Sequence, residues 1–150
     1  MIVPDANLLL YAYDSESPFH KASSDWWAAL LSGVEPVGLC PVVVFAFLRL
    51  STHGKVFDRP LTVKEASERI ASWLTRPNVR LLVADPGHVE TVCRLLAKAG
   101  TGGNLVTDAQ IAALALEYGA TVHTADTDFA RLTGVSWENP LLKGMVRGDR

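Results

Sequence analysis

Four aspartates stand where this chain could do chemistry. Asp5 directly follows the apolar start Ile2-Val3-Pro4. Asp108 lies in Thr107-Asp108-Ala109-Gln110, and Asp126 and Asp128 lie in Asp126-Thr127-Asp128-Phe129. Each sits where a short apolar run gives way to helix-like spacing. A carboxylate at the end of a buried strand is expensive without a partner. Several carboxylates at one sheet edge repel one another, and a hard divalent cation relieves this with oxygen ligands. Magnesium or manganese is the expected ion. Such a site polarises a phosphodiester and acidifies a water. Asp5, Asp108 and Asp126 are expected to share one cation, with Asp128 at its edge, and all four to serve catalysis. Asn7, Thr107 and Thr124 are expected to orient those carboxylates. Asn7 is also expected to cap the helix after Asp5.

Each acid has a plainer explanation as well. Asp108 alone is a first-turn acid that favours the helix dipole. Asp126 and Asp128 alone make a turn and a cap. Asp5 is the hardest to explain so, and the combination is more specific than any member. His20, His53, His88 and His123 show no metal-ligand spacing, and His123 is expected to be a satisfied core or junction residue. Arg49 follows an apolar run and is expected to pair with the acids or to touch RNA.

The elements that position these residues can be read in order. Ser17-Pro18 opens a helix with Phe19, Ala22, Trp26, Ala29 and Leu30 on its stripe. Trp26 and Trp27 cannot share one face, so one is core and the other partly exposed. Pro41 opens the apolar run 42–50, expected as a helix buried on every side and partly covered by a second subunit. The stretch 51–60 is a polar connection with His53, Lys55 and Arg59. Thr62 and Glu65 form a capping box. Asp85-Pro86 is expected to cap a helix with Val89, Val92, Cys93 and Leu96 on its stripe. Thr107 to Gln110 is expected as a second capping box, before a helix with Ile111, Leu114, Ala115 and Tyr118. Short strands near residues 2–4, 37–40, 79–83, 121–124 and 135–137 alternate with these helices. That alternation predicts an α/β fold with a parallel sheet and helices on both faces. Pro4 is awkward in such a strand, because it lacks a ladder donor. It is expected at the strand's end.

Composition bounds the rest. The chain has 150 residues, enough for one domain with a core, and 49% are apolar, which argues against disorder. One domain over residues 1–142 and a frayed tail over 143–150 are expected. No apolar run is long enough to span a bilayer, and no basic region precedes an apolar one as in a signal peptide. A cytoplasmic protein is expected, with Cys40 and Cys93 as buried thiols. The net charge of −2 gives no global basic field, so any nucleic acid must be attracted by local patches.

Three separated motifs carry a resemblance. Asp5-Ala6-Asn7, Asn104-Leu105-Val106-Thr107-Asp108-Ala109 and Thr124-Ala125-Asp126-Thr127-Asp128-Phe129 together resemble the PIN-domain ribonucleases, and VapC toxins of toxin–antitoxin pairs in particular. The resemblance runs from Ile2 to about Leu142. It implies a five-stranded parallel sheet, a magnesium- or manganese-dependent endoribonuclease acting on structured RNA, a homodimer, and inhibition by a cognate antitoxin. Arg49 would then contact RNA or antitoxin. One position departs from the family. Its usual glutamate, in a pattern like Glu-Phe-Leu-Arg, is replaced here by Ala46 in Ala46-Phe47-Leu48-Arg49. Two other readings compete with a nuclease. One is a catalytically weakened RNA- or antitoxin-binding protein. The other is a phosphoaspartyl enzyme of the haloacid dehalogenase type, which needs an acid where Asn7 stands.

Overall fold

A computed structural model describes residues 1–142, and the tail expected over 143–150 lies outside the described residues. Five strands form one parallel sheet in the order β3-β2-β1-β4-β5. They are β1 (Ile2–Pro4), β2 (Val37–Leu39), β3 (Val79–Leu81), β4 (Thr121–His123) and β5 (Trp137–Glu138). Parallel neighbours need crossovers, and paired helices supply most of them. These are α1 (Ala6–Tyr13) with α2 (His20–Ser32), α3 (Pro41–Ser51) with α4 (Val63–Leu74), and α5 (His88–Ala99) with α6 (Leu105–Glu117). All three residues of β2 are buried, so both sheet faces are covered.

The strand order reverses beside β1. From β1 the chain first moves toward β2 and β3, then returns to β4 on the other side. Open α/β sheets gather ligands at the carboxyl ends of the strands at such a reversal. Asp5 leaves β1 there, and Thr124 to Asp128 leave β4 there. Pro4 is tolerated for a local reason. Ile2 N–H donates toward β2, to Pro36, whereas Asp5 N–H donates to His123 of β4. By strand alternation Pro4's missing donor faces β2, where the β1 pairing is confined to Ile2.

The helical expectations are met unevenly. Run 42–50 is a helix, and within the single chain it is not covered on every side. Val43, Val44 and Phe47 are buried, whereas Phe45 is 66% exposed. Val42, Ala46, Leu48 and Leu50 are half-buried within the single chain. Helix α2 starts at His20, and it buries Ser23 and Trp27 rather than Ala22 and Ala29. Trp26 is half-buried, as its adjacency to Trp27 requires. Helix α5 starts at His88 and buries Val92 and Leu95, leaving Val89 and Cys93 exposed. Asp85 closes a turn onto Gly87 instead of capping that helix, and the later start moves the buried stripe. Cys40 is the one buried thiol of the two, pushed up to about 12 by burial and then by the charge of Asp5. The Thr62–Glu65 capping box forms as expected.

Beyond α6, the Tyr118 hydroxyl bonds both backbone groups of Val83, accepting from N–H at 3.2 Å and donating to C=O at 2.9 Å. Its ring also lies 5.1 Å from the Arg80 guanidinium. No helix among the described residues is long and apolar enough to cross a membrane.

Candidate metal centre

Asp5 ends β1 and caps α1. Its Oδ1 accepts from Ala6 N–H at 2.7 Å. That displaces Asn7 from the expected capping role, because α1 begins one residue before it. Asp5 Oδ2 accepts from the Thr124 hydroxyl at 2.7 Å. Thr124, fully buried, is the hub of the junction. Its oxygen also accepts from Asn7 Nδ2 at 3.3 Å and from Asp126 N–H at 2.9 Å. One hydroxyl thus fastens the end of β1 to the turn after β4, across the reversal in strand order. Asn7 adds a second tie, with Oδ1 accepting from Ala125 N–H at 3.4 Å. Asn7 and Thr124 therefore do orient the acidic junction. Thr107 lies exposed in the first turn of α6, which starts at Leu105, and makes no hydrogen bond to these acids among the described residues. The second capping box is absent for the same reason: Asn104 precedes the helix without a side-chain bond.

The other three acids converge above this buried network. One oxygen from each of Asp108, Asp126 and Asp128 lies within 4.8 Å of the others. Asp108 comes from the first turn of α6. Asp126 caps the 3-10 turn Thr127–Arg131, its Oδ1 accepting from Asp128 N–H at 2.8 Å. Asp5 lies outside this 4.8 Å group but close enough for its charge to act on Asp108 and for that of Asp126 to act on it. Each Asp5 oxygen accepts one hydrogen bond within the fold.

Electrostatics separate the acids further. Burial pushes the Asp108 carboxyl up to about 7, and the charges of Asp5, Asp126 and Asp128 add to it. Asp5 is raised mainly by burial, with Asp126 adding, while the bonds from Thr124 and Ala6 pull it down. No lysine or arginine pairs with these acids among the described residues. Arg49 is exposed and makes no ion pair there, so the alternative that it neutralises the cluster is not met. Glu35 pairs with the Met1 amino group before β1, at the opposite edge of the sheet, and cannot replace the missing glutamate. The donor set is therefore three hard oxygens with uncompensated charge, which fits a divalent cation. It does not fit a phosphoaspartyl enzyme, because Asp5 is only 7% exposed and both its oxygens are engaged.

One supporting contact was not legible beforehand. His123, 3% exposed, accepts at Nδ1 from the Trp26 indole N–H at 3.0 Å, and its Nε2 lies 2.8 Å from Glu138. The expectation of a satisfied junction histidine is met, but its partners come from α2 and β5. The only prior signal was Trp26, a half-buried ring with a donor to place.

Comparison with known proteins agrees with this geometry. Residues 2–135 match the PIN domain family. The chain is 43% identical over 141 residues to ribonuclease VapC33 of Mycobacterium tuberculosis, covering 94% of this chain and 99% of that protein. It is 42% identical to ribonuclease VapC37 of the same organism, covering 93% and 97%. Among solved structures, FitAcB from Neisseria gonorrhoeae superposes with a TM-score of 0.68 at 23% identity, over 93% of this chain and 98% of that one. The chain belongs to the PIN-domain family and, within it, to the VapC ribonucleases.

Proposed function

We propose that this VapC-type toxin is a magnesium- or manganese-dependent endoribonuclease that cuts structured RNA in the cytoplasm and is held in check by a cognate antitoxin. The observation that carries the reading is the cluster of Asp108, Asp126 and Asp128. Three acids within 4.8 Å, with no cationic side chain beside them, repel one another at a cost that a bound cation offsets. Those three would hold the ion, with Asp5 beneath them as the buried acid that sets the junction. A bound divalent cation supplies charge neutralisation at a phosphodiester and acidifies a water. The chain's own part is positional. Thr124 fixes Asp5, Asn7 ties β1 to residue 125, and Asp126 holds the 3-10 turn that presents Asp128.

The antitoxin reading is supported by structural neighbours solved as toxin–antitoxin complexes, among them VapBC2 from Rickettsia felis bound to a DNA fragment from their promoter. A homodimer belongs to the same reading, with narrower support, since α3 leaves Phe45 as its main exposed apolar residue. Light scattering at micromolar concentration decides it.

The test is RNA cleavage with added manganese. Wild type should cut, EDTA should stop it, and Asp108→Asn should lower the rate by about 100-fold or more. Cleavage that survives EDTA, or that Asp108→Asn leaves unchanged, overturns the proposal. Ala46 favours a second reading, a weakened member that binds RNA or antitoxin without cutting. RNA binding with no cleavage at any manganese concentration would select it.

A further inference from the structure

The geometry points to a second RNA-contacting element, the ordered loop between α3 and α4, which grips the phosphate backbone through Lys55, Arg59 and Arg49. This rests on the ribonuclease reading for its partner. Its observations are independent of the acidic cluster.

The chain as a whole carries 14 lysines and arginines against 16 acids. Residues 49–61 reverse that balance, with Arg49, Lys55 and Arg59 against Asp58 alone. All four side chains are exposed. None makes an ion pair within 4.0 Å among the described residues, and Asp58 does not engage its neighbour Arg59. Among the described lysines and arginines, Lys21 and Lys64 do have an acid partner one helical turn away.

The loop that presents these cations is built. Leu61 N–H donates to the Ser51 carbonyl at 2.8 Å and closes its base. Phe57, 3% exposed, anchors it from within. The His53 carbonyl accepts from both Val56 and Phe57, and His53 Nδ1 accepts from Lys55 N–H at 3.0 Å. That last bond leaves the His53 Nε2–H as an outward donor. A cation held on an ordered loop loses less freedom on binding than one on a disordered tail.

An acidic centre repels phosphates, so a polyanion is held by cations elsewhere on the chain.

The test measures binding of a mixed-sequence single-stranded RNA of about 20 nucleotides in EDTA, over a series of potassium chloride concentrations. Each lost phosphate contact lowers the salt slope of log affinity by about 0.7. The double substitution Lys55→Ala, Arg59→Ala should lower the slope by about 1.4 and weaken binding most at low salt. Lys21→Ala, on the paired lysine of α2, should leave the slope unchanged. Thermal melts confirm that both variants fold, and Lys55→Gln with Arg59→Gln serves if the alanine pair does not. A slope unchanged in the double variant overturns the inference, as does an equal fall with Lys21→Ala. Cleavage by wild type with manganese is scored separately. A lost slope without any wild-type cleavage would sink the nuclease reading and keep this one; cleavage with an unaltered slope does the reverse.

Discussion

Asp5 and Asp108 are the same residue type, at one sheet edge, in opposite situations. Asp5 is buried and hydrogen-bonded at both oxygens, taking one donor from the backbone of Ala6 and one from Thr124. Asp108 is half-buried, receives no donor among the described residues, and faces three other acids. The fold supplies the partners of the first and leaves the second to a partner from outside. A carboxylate that the chain completes is part of the architecture. One that it leaves charged and unpaired marks where the architecture is waiting for a ligand.

Substitutions can break that contrast from either side. The largest stability effect is expected from Thr124→Val. It strips Asp5 of its side-chain donor and leaves Asp126 N–H without an acceptor, both at a buried junction. Such losses cost about 1–3 kcal/mol, and a melt in EDTA should fall by roughly 3–10 °C for a chain of this size. A change under about 0.5 kcal/mol, the range of an indifferent surface site, would show that Thr124 does not organise the junction.

The next effect is a pH dependence. Asp108 has its folded carboxyl raised to about 7 from an ordinary value of 3.8. The folded state therefore holds this proton more tightly than the unfolded chain does. Its contribution to stability is fully present below 3.8 and is lost as pH rises through about 7. Melts in EDTA from pH 4 to 8 should show wild type losing ground to Asp108→Asn, by a difference on the order of 3 °C. Parallel curves would mean that Asp108 is not under this strain. Saturating manganese should remove the wild-type disadvantage, because the ionised form then has its counter-charge.

The smallest expected effect sharpens the contrast from the far side. Ala46→Glu adds a carboxylate from α3. It should increase the manganese-induced rise in melting temperature by about 1–2 °C and speed RNA cleavage. A variant that melts lower with and without manganese, and cuts no faster, would place position 46 away from the acids.

Much of this was legible in the chain. Asp5, Asp108, Asp126 and Asp128 were readable together, because four acids at strand-to-helix junctions are more specific than any one of them. The sheet followed from strands alternating with helices. Helix starts were less legible. α5 and α6 begin where backbone geometry allows, at His88 and Leu105, and the apparent caps Asp85 and Thr107 do other things. A shifted start moves the buried stripe, which is why Cys93 is exposed. Ligand sets were harder still. The partner of Asp5 is Thr124, a single hydroxyl more than a hundred residues from it in the chain, which no local spacing signals.

The Tyr118 hydroxyl has a consequence for the sheet's growth. β3 is an edge strand, and exposed edges invite another chain to pair with them. Leu82 N–H points inward to Leu39, so the backbone groups of Val83 point outward. Tyr118 occupies both, and Arg80 lies against its ring. With Leu81 and Val83 exposed beside it, this edge would otherwise offer an apolar template for aggregation. One phenol stands in for a sixth strand at that position and ends the sheet there.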